Sequence, residues 1–280
     1  MNEQSLEQAD WSNAVEEGHT LAMVIELGML PEASRLQLFT EQSVSPLLQQ
    51  PEVADLRHTG PALVDLSGQS YRNYLALRER LDPVAQHGWL SSRINIIELQ
   101  QHLGDALACR DLDGEPLLIR SYAHNVLPVL HARTDLAWHS WLFGPVVAWW
   151  VPTAQGWQRL QGLALNKEVD YQPIELDQSL AKELSVDPHA QALLAELESQ
   201  APDALVNGCY SERLTQVSEA LAQARQAGLT RQQDQYFYAL YSLLGGQPIN
   251  QNPNWLAMLQ QVEGEGQALV DVQLALDEQA

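Results

Sequence analysis

Pro145-Val146-Val147-Ala148-Trp149-Trp150-Val151-Pro152 is the most apolar run of the chain, and its reading decides the fold. Eight residues are far short of the ~18 that a membrane-spanning helix needs. The β-branched and aromatic content, closed off by proline at either end, reads instead as a buried strand over Val146–Val151. Strand alternation sends Trp149 and Trp150 to opposite faces of a sheet. One face is covered by the helical stretch just before the strand. The other tryptophan needs a second cover, expected from a helical lobe or from a partner.

Working outward, further strands are expected at Thr20–Glu26, Ala62–Leu66, Gly88–Ser92, Pro116–Tyr122 and Gly156–Leu160. Helical patterns lie between them. Ser70–Leu81 begins on a serine cap, and Asn95 with Glu98 forms a capping box that opens a helix running to Cys109. Asn125–Leu142 is helical with a break at Arg133-Thr134, and Asp111-Leu112-Asp113-Gly114 is a turn. Strands interleaved with helices and joined in part by a hairpin give an α/β domain with a mixed sheet and flanking helices.

The pattern changes after the polar stretch Asn166–Pro173, which divides the chain into 1–166 and 167–280. The second part reads as helices throughout. Asp187-Pro188 caps one, with Leu193, Leu194 and Leu197 inward; Ser211 caps the next, which Gly228 ends. Thr230 and Gln233 form a capping box for an aromatic helix, Tyr236–Leu244, stopped by Gly245-Gly246, and Asn254 starts a short helix to Val262.

Charge excludes whole classes of partner. The chain carries 36 acidic and 15 basic residues, a net −21, and only Lys167 and Lys182 are lysines. Such a surface repels nucleic acid and anionic membranes, whose binding rests on Lys and Arg displacing counterions. Cys109 and Cys209 make no metal or disulfide pattern and are expected as free thiols in a reducing compartment, the cytoplasm. The N-terminus lacks the basic start of a signal peptide.

No motif for catalysis stands out. Eight histidines form no HExxH or other metal pattern, and there is no glycine-rich phosphate loop and no GxSxG, so neither metal nor cofactor is expected. His131, His139 and His102 read as packing histidines, and Asp111 with Asp113 as turn carboxylates. Tryptophan is the surplus. Trp138, Trp141, Trp149, Trp150 and Trp157 fall within twenty residues, and the first four are candidate partner contacts because tryptophan is enriched at binding hot spots.

An ordered series of motifs then carries a resemblance. It runs from Thr59-Gly60-Pro61-Ala62-Leu63-Val64-Asp65-Leu66 through Gly88-Trp89-Leu90-Ser91-Ser92 and Glu98-Leu99-Gln100-Gln101-His102-Leu103. Leu117-Leu118-Ile119-Arg120-Ser121-Tyr122 and Trp141-Leu142-Phe143-Gly144-Pro145-Val146 complete it. Over roughly residues 18–162 the chain resembles the adaptor family of bacterial type VI secretion systems, also called Tap or effector chaperones. One strand departs: the family pattern R-F-Y-D-P reads Arg120-Ser121-Tyr122-Ala123-His124 here, so no role of that aspartate carries over.

The resemblance implies a non-enzymatic cytoplasmic adaptor, monomeric when free, that binds a toxic effector and loads it onto the VgrG spike. Arg120 and Tyr122 match the family pattern; Arg120 is expected either to pair with a buried carboxylate such as Asp65 or to contact the partner. The helical lobe, outside the family-like part, is the expected place for cargo-specific contacts through Tyr236, Phe237, Tyr238 and Tyr241. These four are not expected to face one core. Two other readings use the same residues differently: a hydrolase or transferase site assembled from Arg120, His102 and Asp65, or an immunity-type protein that neutralises a basic toxin.

Overall fold

The computed structural model describes residues 3–153, 156–167, 169–185, 187–205, 210–244, 249–251 and 253–277. In chain order the elements begin α1 (Glu3–Glu16), β1 (Thr20–Glu26), α2 (Glu32–Glu41), β2 (Val44–Pro46), β3 (Pro61–Asp65), α3 (Tyr71–Arg80) and β4 (Gln86–Ser92). Next come α4 (Ile96–Asp105), β5 (Ala108–Arg110), β6 (Pro116–Leu118), α5 (Leu127–Ala132), α6 (Ala137–Leu142), β7 (Val146–Thr153) and β8 (Gly156–Gln161). The last are β9 (Ile174–Glu175), α7 (Gln178–Leu184), α8 (Pro188–Gln200), α9 (Tyr210–Gln226), α10 (Gln232–Leu243), α11 (Trp255–Leu259) and α12 (Leu269–Asp277).

Two compact units result, one of residues 1–185 with 209–211 and one of 186–208 with 212–280. The division falls at residue 185 rather than in the polar stretch Asn166–Pro173. The reason is that β9 pairs in parallel with β5, and Leu180 of α7 is buried in the first unit's core.

The first unit is α/β, as its interleaved pattern indicates. Its main sheet runs β2-β3-β1-β4-β7-β8, and every pairing in it is antiparallel. The parallel component lies in the small sheet β6-β5-β9. All seven residues of β4 are buried, so this central strand has no solvent face. It stacks Trp89 against Trp150 and sets Leu90 opposite Trp149. Gly88 makes this contact possible: its φ is +123°, and a Cβ there would sit 2.2 Å from the carbonyl oxygen of Trp150.

Each face of the sheet has its own core. On one, Ala22, Val24, Leu63, Leu90, Trp149 and Val151 meet Leu99 and Leu103 of α4, Leu127 and Leu130 of α5, and Trp138 and Trp141 of α6. On the other, Met23, Ile25, Val64, Trp89 and Trp150 meet Trp11 of α1, Leu38 of α2, and Tyr74 and Leu77 of α3. The second cover that Trp150 requires is therefore α1 with α3, and neither the helical lobe nor a partner is needed for it.

The α1 helix is acidic and has no apolar stripe to announce it. Hydrogen bonding attaches it. Glu7 is buried and accepts from Trp89 Nε1 (2.8 Å), Tyr74 Oη (3.1 Å), Tyr71 Oη (3.0 Å) and Arg78 Nη1 (3.1 Å). One turn on, Asp10 accepts from Trp150 Nε1 at 3.0 Å and pairs with Arg159. Both sheet tryptophans on this face thus find a carboxylate on α1, which is what lets a polar helix lie on an apolar sheet.

Several local expectations are corrected. The 116–122 strand stops at Leu118, because after Ile119 donates to the Leu107 carbonyl the chain turns and Ala123 N–H donates to Arg120. The capping box of Asn95 and Glu98 is present, but its helix ends at Asp105 and Cys109 lies on β5, buried and free. Cys209 and Gly245-Gly246 lie outside the described residues. Ser211 is inside α9 rather than before it. Thr230 does not cap α10, whose cap position is Arg231; its hydroxyl donates to Glu263 at 2.5 Å instead.

In the second unit Asp187 caps α8, and Leu193, Leu194 and Leu197 are buried. Leu214, Val217, Leu221 and Ala224 of α9 are buried at the expected spacing, and Gly228 follows at φ +98°. The helix α12, not foreseen, adds Leu269 and Val272 to a core with Tyr238, Trp255, Met258 and Val262.

Removing the Glu7 carboxylate takes the acceptor from the buried Trp89 indole and Tyr74 hydroxyl and from the partly buried Tyr71, and leaves Arg78 only the Tyr74 oxygen. Glu7→Ala is expected to lower the stability of the first unit by about 3 kcal/mol in urea unfolding, with the exposed Glu16→Ala changing it by less than ~0.5 kcal/mol. Equal midpoints for the two variants would contradict the role given to Glu7.

Candidate functional site

Two of the family-like motifs converge on one place. At the end of β1 the chain enters a tight turn, Leu27–Met29, held by bonds from Leu27 N to the Gly60 carbonyl and from Gly28 N to the Thr59 carbonyl. Close approach requires glycine here. A Cβ on Gly28 would lie 2.6 Å from Thr59 O, and one on Gly60 would press on the Leu48 side chain and lie 3.0 Å from Leu56 O. Across from this turn runs the segment after β6. Between them lies an apolar groove of about 430 Å³.

The groove's buried lining includes Leu48, Leu107 and Tyr122; its rim includes Met29, Leu56 and Leu118. These rim side chains are 37%, 49% and 61% exposed, an open apolar edge on an otherwise strongly acidic chain.

An ionic cluster lies at its base, with Tyr122 buried, Glu26 half-buried and Arg120 reaching the surface. Glu26 continues the inward side of β1 set by Ala22 and Val24, and its carboxylate accepts from Tyr122 Oη (2.5 Å) and Arg120 Nη2 (2.8 Å). Arg120 Nε also donates to Tyr122 Oη at 3.1 Å, closing a three-way set. The carboxylate that pairs with Arg120 is therefore Glu26, not Asp65, whose Oδ1 accepts from the backbone of Ser67. Burial raises the Tyr122 hydroxyl well above its usual range, keeping it a donor.

Behind Arg120 stand two histidines. His87 Nε2 is 3.4 Å from Arg120 Nη2, and its Nδ1 is 3.1 Å from Nδ1 of His124, the rings stacked 5.2 Å apart. His124 occupies the position where the family pattern has proline, and it is buried together with Ala123. Burial, then the charge of Arg120, pushes His124 down to about 4; burial, then His124 and Arg120, holds His87 well below the usual range. Both rings are neutral, one Nδ1 donating to the other.

The other sequence candidates lie apart from this site. Trp138, Trp141 and Trp149 are buried on one face of the sheet and Trp150 on the other, so none of the four rings is an exposed anchor. Arg120, His102 and Asp65 are not brought together. His102 packs on Trp141 (4.6 Å between centroids), its Nε2 meets the Leu142 carbonyl at 2.9 Å, and it lines a separate polar cleft of about 710 Å³ with Arg93, Asp105 and Tyr171. His131 and His139 contact the carbonyls of Gln161 and His131. Among the described residues no group of three or more His, Cys, Asp or Glu side chains could hold a metal ion.

The aromatic helix α10 is used mostly within its own unit. Tyr238 is fully buried against Trp255, and Phe237 with Tyr241 packs half-buried on the same core, so these three do share one core. Tyr236 donates to the His189 carbonyl at 2.8 Å.

A family model described as a domain of unknown function, DUF4123, matches residues 24–139. That span begins within β1 and ends in α6, and it contains every residue of the groove and of the ionic cluster. No curated protein and no solved structure matches the chain.

The histidine pair sets a pH dependence. With folded-state pKa values lowered below the unfolded value near 6.5, the unfolded chain takes up protons first, so the pair's contribution is present above pH ~6.5 and is lost as pH falls toward 4. Urea unfolding at pH 7, 6 and 5 is expected to show this loss, and His124→Gln is expected to reduce its slope by about 1 kcal/mol per pH unit. Identical slopes for the two proteins would contradict the assignment.

Proposed function

We propose that this chain is a non-enzymatic adaptor that binds a type VI secretion effector in the cytoplasm and loads it onto the VgrG spike. The observation that carries the reading is the convergence of the family-like motifs. Gly60-Pro61 and Leu118, Arg120 and Tyr122 line one apolar groove, all within the part of the chain that matches the DUF4123 model. In this reading the ionic cluster serves as scaffold: Glu26 fixes Arg120 and Tyr122 so that the groove keeps its shape.

The remainder of the molecule fits such a role. A net charge of −21 disfavours nucleic acid and anionic lipid, and no described helix is long and apolar enough to cross a membrane. The half-buried faces of Tyr236, Phe237 and Tyr241 remain as secondary contacts specific to the cargo; Tyr238, at the centre of its core, has no surface to offer.

The test is made in the native host. A tagged chain is expected to co-purify with a VgrG protein and an effector. Deleting its gene should remove that effector from the medium, and the wild-type gene should restore it. Undiminished secretion of the co-purified effector in the deletion strain would overturn the adaptor reading.

A further inference from the structure

The strand β6 meets the groove at Leu118. In the small sheet β6 lies outermost, paired to β5 alone. Asp111 N–H donates to Glu115 O and Ile119 N–H to Leu107 O, and Leu117 stands opposite Cys109. In an antiparallel ladder these alternate positions turn their main-chain groups toward β5, so those of Leu118 point away from it. No partner for the Leu118 N–H is found among the described residues. The side chain of Leu118 is exposed, and the far wall of the groove presents Met29 and Leu56. An unpaired edge beside exposed apolar side chains is a template for one more strand.

Charge narrows the occupant. Asp55 adjoins Leu56 on one wall, and Asp111, Asp113 and Glu115 precede β6 on the other. None of these four has an ion pair among the described residues. The nearby cations are engaged: Arg57 and Arg110 donate to the carbonyls of Gln49 and Gly114, and Arg120 is held by Glu26. A carbonyl partner leaves an arginine its charge, so Asp55 and Arg57 balance on one wall, whereas Asp111, Asp113 and Glu115 outnumber Arg110 beside β6, and the acidic flank of the groove is the one at β6.

We infer that the groove binds an extended segment of a partner protein as an added strand on the β6 edge, its apolar side chains in the groove and lysine or arginine at the end that meets Asp111, Asp113 and Glu115. This rests on the adaptor reading, in which the partner is the effector. The outward groups of this short edge are the N–H and carbonyl of Leu118 and the carbonyl of Pro116, so Leu118 sets the register of such a segment.

Fluorescence anisotropy on the full chain tests this with three labelled peptides. They are Lys-Val-Thr-Val-Thr-Val-Lys, the same core flanked by glutamates, and a lysine-flanked control with proline at each valine. The first is expected to bind saturably, to weaken as salt is raised, and to exceed both others about tenfold or more in affinity. Leu118→Pro removes an N–H that serves no internal bond, as proline on an edge strand allows, and is expected to weaken binding about tenfold beyond Leu118→Ala. Leu56→Gln, on the opposite wall, is expected to weaken it without touching β6.

Equal binding of the glutamate peptide, unchanged binding by both Leu118→Pro and Leu56→Gln, or dimerisation of the chain through the β6 edge would overturn the inference. The host experiment separates it from the reading on which it rests. Full co-purification of the effector with the Leu118→Pro chain overturns strand addition and leaves the adaptor intact. A chain that binds the lysine peptide but co-purifies neither effector nor spike overturns the adaptor and leaves the groove.

Discussion

A six-stranded sheet with two apolar faces must be covered twice, and in each cover one glutamate does the fastening. On the face of Trp89 and Trp150, Glu7 gathers an indole, two phenols and a guanidinium, and so attaches the acidic helix α1. On the face of Leu90 and Trp149, Glu26 gathers Arg120 and Tyr122 and so attaches the segment that follows β6. Each carboxylate replaces its lost hydration with several donors, the condition under which a buried charge is tolerated. The second of these attachments forms the base of the groove.

This arrangement separates rigidity from recognition. Trp138, Trp149 and Trp150 are buried in the two cores, Trp141 is buried at the wall of the polar cleft, and Trp157 is half-buried at the edge of one core. The exposed apolar edge is made by smaller side chains, Met29, Leu56 and Leu118, on short segments that the sheet holds in place. Loops positioned by a rigid scaffold are where binding commonly resides. The neutral histidine pair adjoining Arg120 extends the cluster inward toward β4, coupling the base of the groove to the most buried strand of the sheet.

What was legible in the sequence follows from which forces act locally. Strand alternation in Val146–Val151 separates Trp149 from Trp150 correctly, and the capping box at Asn95 and the proline at the start of α8 act within a single turn. The helix α1 was not legible, because carboxylates meeting donors more than sixty residues away hold it rather than an apolar stripe. The 116–122 strand was overread for a similar reason: its apolar residues continue past Leu118, but no neighbouring strand remains to pair with them. At the site, Arg120 and Tyr122 could be singled out, yet their partner Glu26 lies 94 residues before Arg120, at the end of a strand where an acid reads as a solvent-facing terminus. Its place two residues after Val24 and four after Ala22 was the available signal, since it puts the carboxylate on a core face. His87 and His124 gave no local signal at all.

Hydrogen–deuterium exchange on the full chain, free and bound to the effector that co-purifies with it, tests the central claim most directly. The account predicts that binding slows exchange in residues 26–30, 56–61 and 116–122, the two walls of the groove and the segment that joins them at Glu26. Protection confined to the helices of the second unit, with the groove exchanging as in the free chain, would contradict it.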